Sequence, residues 1–153
     1  MLDKILNWHI ENNWEIAESL QPGITREEID EKVQDLPFPL PEEVYELYQW
    51  RNGMYKLGGF SDFSNFVFSN EFIPLEKAVE MSRNYAEEKG SRRWNPHWLL
   101  IFAEGTDNSD PLFVVIGEET APIGVYGWNY SIRYNSLTEM IGEGWRYLQS
   151  DDI

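Results

Sequence analysis

Two nearly uninterrupted apolar runs, residues 98–103 and 112–116, constrain this chain more than any other feature. Short runs that are apolar at every position are typical of strands covered on both faces of a sheet. A polar turn at 104–110 separates them, and further β-type runs follow at 123–126 and 130–134. Short turns between consecutive strands favour antiparallel pairing. The second half of the chain is therefore predicted to contain an antiparallel meander.

The first fifty residues have helical periodicity instead. Apolar residues recur at steps of three and four from Leu2 to Leu20, which predicts one amphipathic helix that ends at residues 21–23. Thr25 and Glu28 have the spacing of a capping box, which predicts a second helix. Pro41 suits the first turn of a third helix.

Helical signals also interrupt and follow the strands. Pro74 opens a predicted helix between two β-type stretches, and Ser136 with Glu139 predicts a closing helix that begins with a capping box. The Asn52-Gly53 pair marks a helix end, because both residues tolerate a left-handed backbone. Helices, a β section that holds one helix, and a closing helix together predict the α+β class.

Composition predicts one domain, residues 1–153, in a reducing compartment. The 153 residues are near the commonest domain size and include no cysteine. No run of about 18 apolar residues occurs, and the first residues lack the basic and apolar regions of a secretory signal. We therefore expect a cytoplasmic protein that has no contact with a membrane.

Charge narrows the classes of partner. The chain has 27 acidic and 12 basic residues, for a net charge of −15. Such a surface repels phosphate backbones and anionic lipids, so no nucleic-acid partner is predicted. Two interpretations stay open: simple solubility, or electrostatic steering toward a basic protein partner.

The residues favour no particular catalytic chemistry. Without cysteine there is no thiolate nucleophile, and the two histidines, His9 and His97, lie far apart in sequence. No phosphate-binding loop, dinucleotide fingerprint or nucleophile elbow occurs. The carboxylates of residues 104–110 could ligate calcium, but their spacing differs from an EF-hand and also suits ordinary turns. We predict no catalytic residue, no metal and no cofactor.

The β section contains a long stretch that has acidic residues and no basic ones. No Lys or Arg occurs from Trp94 to Ile132, and two turns that flank the strand at Leu112 hold five acids there. These are Glu104, Asp107, Asp110, Glu118 and Glu119. Acids are routine in solvated turns, which is the alternative to a binding surface. Successive turns of a meander lie at opposite ends of a sheet, so the five need not form one patch.

Several landmarks occur together in a familiar order. They are Leu40-Pro41, the helix 43–50, Asn52-Gly53, the step 72–78, Trp98, the 110–112 segment, the strand 124–126 and the closing motif 135–141. This order resembles the SUKH superfamily, which includes a yeast cell-wall assembly regulator and bacterial toxin-immunity proteins. The resemblance covers about residues 24–148, preceded by the N-terminal helix. It departs at Ser109-Asp110, where the family commonly has Gly-Asp.

The resemblance implies a fold and a kind of function. The fold is α+β, with a curved, mainly antiparallel sheet flanked by helices. The function is binding another protein, with no enzymatic activity: an immunity protein that neutralises a cognate polymorphic toxin, with a nuclease as one candidate. A regulatory or scaffold domain with a housekeeping partner, and a small carboxylate-using hydrolase, are the alternatives.

The resemblance and the charge together suggest which residues contact that partner. An acidic inhibitor can occlude a basic cleft while aromatic anchors supply the buried contacts. The five turn acids are the predicted electrostatic contacts, and Trp128 and Tyr130 are the predicted aromatic ones. Aromatic residues form 15% of the chain, so we expect some rings to be half exposed.

Overall fold

The computed structural model describes residues 1–55, 70–87, 94–104, 112–117, 120–126 and 131–150. Within these ranges the chain forms helices and strands in the order expected of an α+β protein. The helices are α1 (Leu2–Asn12), α2 (Trp14–Ser19), α3 (Arg26–Val33), α4 (Glu42–Trp50), α5 (Leu75–Glu87) and α6 (Leu137–Gln149). The strands are β1 (Leu20–Pro22), β2 (Arg51–Met54), β3 (Asn70–Phe72), β4 (Trp98–Glu104), β5 (Leu112–Ile116), β6 (Ile123–Tyr126) and β7 (Ser131–Tyr134).

The main sheet is the predicted antiparallel meander. Its strand order is β3-β4-β5-β6-β7, and every neighbouring pair is antiparallel. Each residue of β4 from Trp98 to Ala103 is at most 7% exposed, which confirms that this apolar strand is covered on both faces. A separate two-stranded sheet joins β1 to β2. The α+β class is confirmed.

The N-terminal segment differs from the single helix predicted for it. Asn13 has φ −152° and ψ 63°, which ends α1 and starts α2 in a new direction. Its amide donates to the carbonyl of His9 at 2.7 Å, while its own carbonyl accepts from Ile16 at 3.0 Å. Asparagine is favoured at the N-cap of a helix, where the backbone is not helical, although its side chain makes no capping hydrogen bond here. The residues after α2 form β1, a strand that the sequence did not predict.

A junction between α4 and α5 explains two of the sequence landmarks. The side chain of buried Asn52 accepts from the amide of Leu75 at 3.0 Å, so it caps α5. Gly53 has φ 70°, and a Cβ there would lie 2.3 Å from the nitrogen of Pro74. The Asn-Gly pair therefore holds the start of α5 against β2, in addition to following the end of α4.

The core beneath this junction is aromatic. Tyr48 is fully buried, and its hydroxyl donates to the carbonyl of Ile73 at 2.8 Å. Burial raises the pKa of this hydroxyl far above its ordinary value. Its ring lies 5.3 Å from that of Phe72, which lies 5.4 Å from that of Phe102 on β4. These contacts fix α4 on the sheet and so set the position of the helical surface.

Candidate protein-binding surfaces

The sequence-predicted contact residues fall almost entirely outside the described part of the chain. For Glu104, the last residue of β4, only the backbone is described. The other six, Asp107, Asp110, Glu118, Glu119, Trp128 and Tyr130, lie outside the described residues. Their role in binding stays a prediction.

The described strands do bear on whether those acids share one patch. Ala103 pairs with Leu112 at one end of β5, and Val115 pairs with Ile123 toward the other end. The connection from β4 to β5 and the connection from β5 to β6 therefore join opposite ends of β5. This agrees with the expectation that the two acidic turns need not meet.

The two histidines have unrelated surroundings. His9 is fully buried on α1, with its ring edge-on to that of Trp8 at 5.2 Å. His97 is exposed before β4, where its ring stacks on that of Phe38 at 5.7 Å. Its amide donates to the side chain of Asn95 and its carbonyl accepts from the amide of Gly117. Among the described residues no group of metal-ligating side chains is placed to hold an ion.

Some aromatic rings are exposed, as the composition predicts. Trp14 on α2 is 59% exposed, and Tyr55 after β2 is 65% exposed. Neither ring lines one of the cavities described below. Both side chains are therefore exposed to solvent outside those two cavities.

An ion-pair network covers the outer face of α3 and α4. Both guanidinium nitrogens of Arg26 donate to the carboxylate of Glu42, at 2.9 and 3.0 Å. The guanidinium also lies 3.9 Å from the ring centroid of Tyr45, whose hydroxyl donates to Asp30. The hydrogen bond from Arg26 lowers the pKa of Glu42, and the same bond raises the pKa of Arg26. These acids are therefore already matched within the chain.

A groove between α3 and α5 has charges of both signs. Lys32 Nζ lies 3.0 Å from Glu76, and Arg83 lies 3.9 Å from Asp35. The cavity has a volume of about 610 Å³. We call it the mixed-charge groove. Its lining residues are Ile24, Glu28, Glu31, Lys32, Gln34, Asn52, Glu76, Val79, Glu80 and Arg83.

A second groove, between α1, α4 and α6, has a different character. Its volume is about 320 Å³, and most of its lining is apolar, with three carboxylates among the lining residues. No Lys or Arg is among the described residues that line it. We call it the acidic groove. Its lining residues are Met1, Leu2, Asp3, Glu43, Glu46, Leu47, Trp50, Leu137, Thr138 and Ile141.

Two of these carboxylates are held in place by hydrogen bonds. The indole nitrogen of Trp50 donates to Asp3 Oδ1 at 2.9 Å, which ties α1 to α4. Glu43 Oε2 accepts from the backbone amides of Leu137 at 2.8 Å and Thr138 at 3.4 Å. An acid at a helix N-terminus is favoured by the helix dipole and by the unpaired amides there. Glu43 therefore ties α4 to α6.

The capping box predicted for α6 is only half present. The hydroxyl of Ser136 accepts from the amide of Glu139 at 3.0 Å, as predicted. The carboxylate of Glu139 accepts from Asn135 instead of Ser136, so the reciprocal half of the capping box is missing. The capping box predicted at Thr25 and Glu28 is complete.

The third carboxylate of the acidic groove has no partner in the part of the chain that the structure describes. Glu46 is exposed on α4, and it forms no hydrogen bond or ion pair with the described residues. Glu43, Leu47 and Trp50 follow one another at steps of four and three, so they share one face of α4 with this groove. That spacing is a signal in the sequence for one wall of the groove only. The third wall, α6, begins far along the chain at Leu137.

Comparison with known proteins places the chain in a family. The model of the SMI1 / KNR4 family (SUKH-1) matches residues 23–143, and the chain belongs to this family. A search of the curated proteins finds no match. The helices α1 and α2 lie before the matched segment, so the acidic groove joins two walls that begin inside the match to one outside it.

Membership confirms the resemblance seen in the sequence. The SUKH family fits immunity or regulatory domains that bind proteins, and it is generally non-enzymatic. In the described part of the chain, no helix has the length and apolar character that crossing a bilayer requires.

Proposed function

We propose that this protein is an immunity protein that binds a basic toxin domain and neutralises it by covering its active surface. The observation that carries the proposal is the acidic groove, with three carboxylates and no Lys or Arg among its described lining residues, in a member of the SUKH-1 family. The toxin is a cognate, polymorphic type, with a nuclease as the candidate activity. A nuclease suits this partner because a cleft that binds phosphates must itself be basic.

Electrostatics explains how such an inhibitor finds its target quickly. A net charge of −15 produces a field that draws a cationic surface toward the protein before contact. Salt screens charges over about 8 Å at physiological ionic strength, so the steering weakens as salt is added. Electrostatic steering of this kind acts mainly on the association rate. Final affinity depends on the buried contacts at the centre of the interface. The net charge therefore favours a basic partner, and the groove supplies a surface for the buried contacts.

The test uses the protein encoded by the gene immediately upstream in the native genome. That protein is expressed alone and together with this chain in a host whose growth it arrests. We expect co-expression to restore growth and the two purified proteins to form a complex. We also expect the association rate to fall as the salt concentration rises.

Two results would contradict the proposal. Growth arrest that persists despite abundant folded protein would show that the chain does not neutralise its neighbour. Isolation of a housekeeping complex as the specific partner, in place of the upstream product, would favour the regulatory-domain alternative. Tags are placed at the C-terminus in these experiments, because Met1 lines the acidic groove.

A further inference from the structure

We propose that the acidic groove receives a cationic side chain, an arginine or lysine that protrudes from the partner. This inference rests on the proposed function and adds to it the place where the partner is held. The groove has the size of a small site: its volume of about 320 Å³ is near the lower end of ligand pockets, roughly 300–1,000 Å³. It suits one long side chain better than a large ligand.

The floor of the groove matches the stem of such a side chain. Leu47, Leu137 and Ile141 are buried residues that line it, and Leu2 lies at its wall. Lysine and arginine pack their methylene stems on apolar surfaces while their charged ends reach polar groups. The floor therefore favours a long cationic side chain over a small inorganic cation, which gains nothing from apolar contact.

The carboxylates match the charged end. Each carboxylate has two oxygens that accept hydrogen bonds. The contacts described above occupy one oxygen of Asp3 and one of Glu43, whereas Glu46 has neither oxygen engaged within the described residues. A guanidinium or ammonium group at this position would find acceptors that are already oriented, so less side-chain entropy is lost on binding.

Trp50 contributes an aromatic surface. Its indole lines the groove, and the guanidinium carbon of Arg51 lies 5.3 Å from its ring centroid. Cations are attracted to the faces of indole rings, with Trp the strongest partner among the aromatic residues. The groove thus combines the three features that favour a cationic side chain: an apolar floor, carboxylates and an indole.

The difference in charge between the two grooves indicates which of them receives the cationic side chain. Two bases of the chain, Lys32 and Arg83, line the mixed-charge groove, and Lys32 lies 3.0 Å from Glu76. In the acidic groove, by contrast, the nearby cations of the chain, the terminal amine of Met1 and Arg51 over the Trp50 ring, form no ion pair with the described carboxylates, which are left to a cation of another molecule. Because α1 supplies Leu2 and Asp3 from outside the family match, this wall is also suited to distinguish one partner from another.

The test uses a small probe, N-acetyl-arginine amide, added at millimolar concentration to isotope-labelled protein. We expect the indole resonance of Trp50 and the amide resonances of Leu137 and Thr138 to shift and to saturate. The neutral isostere N-acetyl-citrulline amide should shift them much less. Glu46→Gln should weaken the response to arginine at least threefold.

A matched variant controls for the change in net charge. Glu11→Gln removes one exposed acid from α1 without altering the groove lining, so it should respond as the wild type does. Equal shifts with the arginine and citrulline probes, no shift with either, or equal responses of the two variants would overturn the inference. A shift that saturates in wild type and Glu11→Gln and is weakened in Glu46→Gln supports it.

The outcome is separable from that of the proposed function. If the upstream toxin forms a complex and Glu46→Gln binds it as tightly as Glu11→Gln does, the groove inference fails while the immunity function stands. If the arginine probe binds in the groove but no toxin complex forms, the function fails and the cation site remains.

Discussion

The two grooves described on the helical surface have similar walls but differ in their charged groups: two bases stand beside the acids of the mixed-charge groove, whereas no Lys or Arg lines the acidic groove. Both lie between helices, both contain several acids, and both have an apolar contribution to their lining. In the mixed-charge groove, Lys32 lies 3.0 Å from Glu76, so the acid is matched within the chain. In the acidic groove Glu46 has no such match among the described residues. Acids matched internally serve the fold, and we infer that unmatched acids above an apolar floor serve a partner.

The difference between the grooves predicts that substitutions in one mainly affect stability and substitutions in the other mainly affect partner binding. Substitutions in the mixed-charge groove should change stability and affect partner binding only through the net charge, by a few-fold at most. Substitutions of the unmatched acid in the acidic groove should change partner binding and leave stability unchanged. Glu43, which both caps a helix and lines the acidic groove, should affect both quantities.

The largest effect is expected at Asn52, which lines the mixed-charge groove. Asn52→Ala removes the acceptor for the amide of Leu75 and leaves that buried amide without its cap. The free energy of unfolding should fall by about 1–3 kcal/mol, as measured by urea denaturation. Asn52→Asp keeps an acceptor oxygen and should lose less. Partner affinity of the folded Asn52→Ala protein should stay within twofold of wild type, and a larger loss would break the proposed division.

Charge reversal at Glu46 should have the next largest effect. Glu46→Arg places a cation where a cationic side chain is expected to bind, so the partner Kd should rise by about 30-fold, or about 2 kcal/mol. Stability should stay unchanged because the side chain is exposed. Titration calorimetry measures the first quantity and denaturation the second. The matched reversal, Glu80→Arg in the mixed-charge groove, should weaken binding only a few-fold, and equal losses would refute the distinction between the grooves.

Glu43 sharpens the comparison because it has both roles. Glu43→Ala should lower the free energy of unfolding by about 1 kcal/mol, since the first amides of α6 lose a charged acceptor. Glu43→Gln retains an acceptor oxygen and should lose less stability, while its partner affinity should fall as far as that of Glu43→Ala. If Glu43→Gln binds the partner as wild type does, the charge of Glu43 plays no part in binding.

The smallest effect concerns pH and the Arg26–Glu42 pair on the outer face of α3 and α4. Its hydrogen bond lowers the pKa of Glu42 in the folded protein. The pair therefore stabilises the fold above the unfolded pKa of Glu42, and this contribution is lost as the pH falls through the lower, folded pKa. The stability difference between wild type and Glu42→Gln should shrink on acidification, as measured by urea denaturation across a pH series. A difference that grows in acid would contradict the assigned cause.

The sheet was predictable from the sequence, and the acidic groove was not. Continuous apolar runs determine β4 and its neighbours locally, since each strand is specified by its own residues. The break at Asn13 lies in the backbone conformation of one residue, which the apolar periodicity does not register. Glu43 caps a helix that begins 94 residues later, and no local pattern contains that contact. A groove with three helical walls requires the tertiary arrangement first.

The acidic residues that the sequence marks as partner contacts are not the ones that line the acidic groove. A stretch without Lys or Arg from Trp94 to Ile132 marked Glu104, Asp107, Asp110, Glu118 and Glu119. Those five remain a prediction for the β section, together with Trp128 and Tyr130. The groove carboxylates belong to a chain whose excess of acidic residues is visible in the sequence. The apolar floor beneath them is visible only in the structure.

The most direct test of the account is the association rate of the upstream toxin with this protein, measured by stopped flow across a range of salt concentrations. We predict a rate that falls steeply with salt for wild type and for Glu11→Gln. For Glu46→Gln we predict a slower rate at low salt and a weaker dependence on salt. A rate that does not respond to salt, or identical behaviour of the two variants, would contradict binding of a basic partner through the acidic groove.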